Sequence, residues 1–301
     1  MDRVNLKNKK ILVTGGNGYL GRILIKSLLP FSSKIFSVDL NHNSCQNKVV
    51  CYDADLLDKK KLTELIHDIQ PSVIYHLAAN LNRTRDFSMA KDIFAVNLTG
   101  TLNLLNSLKE VQYDNLIFTS TSEVYGGANI KVPFSENDNF VPASPYSLSK
   151  YCAEMSIKTF SEINNRNYTI LRLFNFYGKD MSKKFFLPQL IEKLKKNEDF
   201  DMTNGEQKRD YLHIDDIINA LLLSSTAKAY NDVFNVCSGA GISLRELAVN
   251  LKDNLNSTSK INFGAIPYRE NEVWEMIGNN EKISNLGFNQ KLAFLENIDN
   301  E

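Results

Sequence analysis

The feature that most constrains this chain lies near its N-terminus. Lys10-Ile-Leu-Val-Thr14 is a short apolar run that passes directly into Gly15-Gly-Asn-Gly-Tyr-Leu-Gly21. Ile23–Leu29 then continues with helical periodicity until Pro30 stops it. Strand, glycine turn and helix in that order form the context in which a glycine fingerprint is meaningful. Glycines at 15, 18 and 21 allow a tight turn, close approach of a pyrophosphate, and packing of helix on strand. The helix N-terminus, with Asn17, Tyr19 and Leu20 beside it, would face the phosphates of a dinucleotide.

A second signal falls in register. Lys34-Ile-Phe-Ser-Val38 reads as the next strand and ends on Asp39, 18 residues past Gly21. An acid near that distance binds the adenosine ribose diol and repels a 2′-phosphate, so NAD is expected over NADP. After a third short strand, Asp55 and Leu56 follow; Asp55 either accepts from the adenine amino group or is a surface turn acid. The pattern continues with a helix over Asp58–Ile69 and a strand Ser72-Val-Ile-Tyr-His76. Leu77-Ala78-Ala79 then supply small residues where backbone would pass close to a cofactor. His76 is either a catalytic base or a hydrogen-bonded core histidine. Ser88–Glu110 is expected to be one long helix. Its Asn97 must find polar partners among apolar neighbours, and a bridge to the strand carrying Thr121 is expected.

The chemistry is concentrated between Phe118 and Lys150. Asn115-Leu-Ile-Phe leads into Thr119–Thr121 as a buried parallel strand, and Tyr146 and Lys150 stand four apart at the start of a helical segment. A free phenol has a pKa near ~10. A cation held close favours phenolate, so Lys150 would bring Tyr146 into working range, with the Thr121 hydroxyl sharing the substrate proton. Those groups suit removal of a proton from an alcohol while a hydride leaves its carbon. Taken alone, Tyr-x-x-x-Lys is more often the mark of an exposed lysine beside a half-buried tyrosine.

Beyond the strand Tyr168–Leu173 the strict alternation ends. Helices are expected over Phe185–Asn197, Ile217–Thr226 and Ser243–Leu255, the last with Ser243 and Glu246 as a capping box. Short strands are expected at Val233–Val236 and Asn262–Ala265, with a last short helix from near Asn279. The 301 residues carry 35 basic and 35 acidic side chains, a balance that argues against a nucleic-acid partner. No apolar run reaches the roughly 18 residues of a membrane span. From the polar opening Met1–Lys10 no signal peptide is expected. Cys45, Cys51, Cys152 and Cys237 show no metal-ligand spacing. They read as free thiols of a reducing, cytoplasmic setting, with no metal implied.

With these residues in view, the chain resembles the extended short-chain dehydrogenase/reductase family, in its NAD-dependent nucleotide-sugar epimerase/dehydratase branch. The resemblance rests on TGGNGYLG, Asp39, HLAAN, VNLTGTLNLL, STSEVYG, PYSLSK, RLFNFYG, GEQKRDYLHIDD, FNVCSG and YRENE, in order from about Lys9 to Phe288. It implies an α/β fold: a doubly wound, mostly parallel (Rossmann) sheet over residues 1–173, and a smaller substrate lobe over 174–301. Residues 209–239 are expected to pack back on the large domain. It implies catalysis by Tyr146, Lys150 and Thr121, with Lys150 also on the nicotinamide ribose and Asn97 near the cofactor. Asn80, Ser122, Asn175, Arg209 and Arg269 are implied for the nucleotide-sugar, the arginines at its diphosphate. Pairing of the helices 88–110 and 146–163 across a two-fold axis would make a homodimer.

Glu123 is the informative departure. Hexose 4,6-dehydratases of this branch carry a triplet resembling Thr-Asp-Glu, in which Asp is the acid and Glu the base for eliminating water. Here the triplet is Thr121-Ser122-Glu123. The elimination acid of the glucose type is missing, while Thr-Ser-Glu also resembles mannose-type 4,6-dehydratases, sugar-acid decarboxylases and some 4-keto-sugar reductases, and Glu123 is either a base or a structural acid. The loop Asn80-Leu-Asn-Arg-Thr-Arg is also unusual, and Arg83 and Arg85 either meet an acidic sugar or face water. The expected chemistry is oxidation of a nucleotide-linked sugar at C4, followed by epimerisation or elimination. The alternatives are a net 4-keto-sugar reductase and a non-catalytic dinucleotide sensor. The second is opposed by retention of Tyr146, Lys150 and Thr121.

Overall fold

The computed structural model describes residues 6–32, 34–42, 45–126 and 132–291. The tail beyond the Leu286-Gly-Phe motif lies largely outside them. The chain begins with β1 (Ile11–Thr14), α1 (Tyr19–Leu28), β2 (Ile35–Asp39), β3 (Val49–Asp53), α2 (Lys59–Ile69) and β4 (Val73–His76). It continues through α3 (Ala90–Phe94), α4 (Gly100–Leu108), β5 (Asn115–Thr121), α5 (Pro145–Asn164) and β6 (Tyr168–Leu173). The remainder comprises β7 (Asn175–Tyr177), α6 (Phe186–Lys195), β8 (Phe200–Met202), β9 (Lys208–Arg209), β10 (Tyr211–His213), α7 (Ile214–Leu223) and β11 (Asp232–Val236). It closes with β12 (Ile242–Ser243), α8 (Leu244–Asn254), β13 (Ile261–Phe263), β14 (Glu275–Met276) and α9 (Glu281–Asn285).

Seven strands form one parallel sheet in the order β11-β6-β5-β4-β1-β2-β3. The order reverses between β1 and β4, and a crevice opens there at the carboxyl ends of the strands. Register brings Thr14 beside His76 and Val38, Asp39 beside Asp53, and Thr121 beside Leu173. The strands are apolar on both faces because helices cover both. Leu24, Leu28, Ile217 and Leu221 of α1 and α7 bury against Val13 and Tyr75 on one side. On the other, Leu62, Leu104, Leu108 and Ile157 bury against Leu12, Ile74 and Phe118. A separate core of Leu190, Leu194, Phe200, Leu247 and Leu251 joins α6 and α8 beyond the sheet. The expected capping box on α8 forms, Ser243 accepting from the Glu246 N–H and donating to its carboxylate at 2.8 Å.

Two expectations fail. The stretch 88–110 is not a uniform helix, since a π turn at Ala95–Thr99 separates α3 from α4. Asn97 sits in that turn and does not reach β5. It accepts from the Asn80 N–H at 2.7 Å and donates to the Asn80 carbonyl and to Ser149 Oγ. The extra residue per turn swings its amide toward the strand-end loop after β4. The cysteines also differ: Cys45 and Cys51 form a disulfide, while Cys152 and Cys237 are free. The loop between β2 and β3 folds back so that their Cα atoms stand 6.1 Å apart, within bridging distance. A six-residue separation gave no hint of that return.

Candidate active site

Each strand end delivers one part of the site. The glycine turn follows β1 with Gly15 at φ +73°, where a Cβ would come 2.7 Å from the Ala78 nitrogen. A side chain at Gly21 would meet the Gly15 carbonyl oxygen at 2.2 Å. Absence of side chains therefore seats the turn against Leu77-Ala78 and α1 against the turn. Asp39 accepts from the Asn17 N–H and the Leu40 N–H, both at 2.8 Å, which fixes its carboxylate at the lip of the crevice. The remaining lone pairs stay available to a diol.

A cavity of about 640 Å³ runs from this turn to β10. Gly15, Asn17, Gly18, Tyr19, Leu20, Asp39, Asp55, Leu56, Leu77, Ala78 and Ala79 line one end, and Thr121, Tyr146, Lys150 and Asn175 the other. Asp55 lines the cavity and accepts from the Leu57 N–H at 2.9 Å. A glycine turn without acidic residues in the first helical turn, and an oriented acid at the end of β2, fit a dinucleotide.

Tyr146 and Lys150 project from the start of α5, which Ser144 and Ser147 cap reciprocally behind Pro145. Both are buried, at 4% and 2% exposure. Burial pushes the Tyr146 phenol up; the neighbouring Arg83 and Thr121 side chains pull it down, and Glu123 pushes it up. A cation from outside the pair also stands at the phenol: the Arg83 guanidinium centre lies 5.6 Å from the Tyr146 ring centroid. Lys150 lies over the Phe118 ring at 4.1 Å, and burial lowers its pKa to about 7 against the opposing pull of Glu154.

His76 is a core residue. It is fully buried between the Thr14 and Thr101 hydroxyls at 2.7 and 2.8 Å, and burial, followed by Lys150, lowers its pKa to about 3. Glu123 follows Thr121 in a 3-10 turn and pairs with Arg83 Nε at 3.2 Å. Ser122 is buried in that turn. Glu123, Ser122, Asn80, Asn97, Arg209 and Arg269 do not line the cavity. Arg209 is held by Glu272 at 2.8 Å and by the Val273 carbonyl, and Arg269 is exposed on the neighbouring loop. Arg85 donates to the Glu270 carbonyl, which ties the loop after β4 to that same loop. Sequence reasoning missed the wall Met181, Ser182 and Phe185–Pro188, together with Tyr211. Apolar residues where strand–helix alternation breaks down were the available signal.

A model of the NAD dependent epimerase/dehydratase family matches residues 11–237. A UDP-glucose 4-epimerase of Mycoplasma pneumoniae is 31% identical over 264 residues, covering 78% of each chain. A putative UDP-glucose 4-epimerase of Methanocaldococcus jannaschii is 29% identical over 96% of this chain and 95% of that one. The solved UDP-glucose 4-epimerase of Thermotoga maritima, with UDP-glucose, superposes with a TM-score of 0.88 at 27% identity, covering 94% of both chains. The glycine turn, Asp39 and the buried Tyr146–Lys150 pair thus stand in a chain of which 94% superposes on such an enzyme. It belongs to the NAD dependent epimerase/dehydratase family, and NAD is its cofactor.

Proposed function

We propose that this enzyme is a nucleoside-diphosphate-hexose 4-epimerase, which oxidises its sugar at C4 and re-reduces the ketone on the opposite face. The end of β5 carries the choice. Ser122 has no carboxylate and Glu123 is tied to Arg83, so the acid and the free base of glucose-type elimination are both missing there. Thr121 and Tyr146 remain, and they are what proton transfer at C4 requires.

In this reading Gly15, Asn17, Gly18, Tyr19, Leu20, Asp39, Asp55, Leu56 and Leu77–Ala79 hold the cofactor, and Lys150 holds the ribose beside the reacting ring. Asn97 acts indirectly by fixing Asn80. Bound NAD supplies the hydride acceptor and, once reduced, the donor. Tyr146 Oη takes the proton of the C4 hydroxyl and returns it after the ketone has turned over. The Thr121 hydroxyl, beside the phenol, steers that proton. Phe185, Leu187 and Pro188 shield the ketone from water. Asn175, Arg209 and Arg269 receive the diphosphate, Arg209 exchanging Glu272 for it. Residues 1–173, with 209–239 returned to them, form the cofactor lobe, and the rest of 174–301 closes on the sugar.

The similar UDP-glucose 4-epimerases make UDP-glucose and UDP-galactose the first pair to test. A second copy would cover Leu102, Met155 and Ile163, exposed at 39%, 42% and 76% on α4 and α5, in an isologous homodimer. A cytoplasmic setting follows from dependence on NAD and a nucleotide sugar. No helix among the described residues is long and apolar enough to cross a membrane. The test is NMR of NAD-loaded protein with UDP-, dTDP- and GDP-hexoses and no added cofactor. Interconversion of C4 epimers supports the reading. Turnover only with added NADH or NADPH makes it a reductase, and loss of water makes it a dehydratase.

A further inference from the structure

We infer that the Arg83–Glu123 ion pair sets the sugar class: Glu123 neutralises the guanidinium at the sugar end of the cavity, so the site selects a neutral hexose over a sugar acid. The inference rests on the nucleotide-sugar reading and deepens it. Arg83 is the cavity-lining arginine on the loop after β4. Its guanidinium centre lies 5.6 Å from the ring centroids of both Tyr146 and Phe185, so it is held between the catalytic phenol and the apolar wall of α6. Glu123 closes the arrangement from behind, 3.2 Å from Nε, while Arg83 stays 41% exposed toward the cavity.

That geometry places a cation beside the phenol that handles the C4 oxygen. The substituent on C5 is two bonds from C4, so a carboxylate at C6 would come within reach of the same guanidinium. An unpaired arginine there would bind it in the planar, bidentate manner that arginine favours. In this chain one guanidinium nitrogen, Nε, is already paired with Glu123, and an arriving carboxylate would also meet the Glu123 charge. A hydroxymethyl group meets neither cost. Placing a like charge against the wrong ligand is a common route to selectivity.

The experiment is calorimetric titration of NAD-loaded protein with UDP-glucose and UDP-glucuronate, comparing wild type, Glu123→Gln and the double variant Glu123→Gln/Arg83→Met. The readout is the ratio of the two affinities within each protein, so an overall change in binding cancels. Wild type should favour UDP-glucose. Glu123→Gln should move the ratio about 10- to 100-fold toward the glucuronate, the range of one charged hydrogen-bonded contact. The double variant should lose that gain, because the guanidinium that would use the freed position is gone. A ratio unchanged in Glu123→Gln, or a gain surviving in the double variant, overturns the assignment while leaving the nucleotide-sugar reading in place. Binding of no UDP-, dTDP- or GDP-linked hexose by NAD-loaded wild type rejects the reading, and this inference with it.

Discussion

Replacing Lys150 with Met should make the cofactor-free protein more stable at pH 6 while removing its activity. The ammonium is 2% exposed, its pKa brought down by burial from 10.5 to about 7. That fall corresponds to roughly 5 kcal/mol spent on holding the charge inside. Between pH 7 and 10.5 the unfolded chain holds a proton that the native lysine has released. Stability therefore rises with pH across that window, and the full cost is present below about pH 7. Met keeps the length and apolar stem but has nothing to titrate. Glu154 loses a neighbouring charge yet keeps Arg172 and Ser120. The expected gain is about 2–5 kcal/mol at pH 6, shrinking steadily toward pH 10. Urea unfolding of both proteins from pH 6 to 10 measures it. A variant less stable than wild type at pH 6, or a difference independent of pH, would refute the reasoning.

Three further outcomes are expected. Tyr146→Phe should retain NAD binding by fluorescence titration but lose roughly 10²- to 10⁴-fold in turnover, the contribution of a positioned acid–base group. Asp39→Asn should narrow the preference for NAD over NADP by about tenfold or more, because the carboxylate that repels a 2′-phosphate is gone; equal affinities in the wild type would reject the role of Asp39. Arg172→Met should cost about 3–5 kcal/mol, seen as a Tm lower by roughly 5–8 °C. It strands Glu154, which is fully buried and bonded to Arg172 at 2.8 Å.

The parallel sheet and the glycine turn were legible because both are written in local pattern: apolar runs of strand length, glycines at fixed offsets, and an acid closing β2. Tyr146 and Lys150 were legible as a pair on one helical face. Their electrostatics were not, since the cation that reaches the phenol comes from a loop more than 60 residues earlier. Asn97 shows the same limit. A polar residue inside a helix announces that it has partners, but the π turn that aims it at Asn80 leaves no mark in the periodicity. Cys45 and Cys51 were misread because compartment was argued from spacing, whereas pairing depends on how the loop between β2 and β3 returns. Arg209 was placed at a diphosphate by motif, and its engagement with Glu272 depends on β9 and β14 lying side by side.

The central claim is that oxidation occurs at C4 and that the hydride removed there is the one returned. Incubating NAD-loaded enzyme with UDP-glucose deuterated at C4, in ordinary water and without added cofactor, tests this most directly. UDP-galactose retaining deuterium at C4, with none lost to solvent and no proton exchange at C3 or C5, is the predicted result. Loss of the C4 deuterium, or exchange at a neighbouring carbon during turnover, would contradict it.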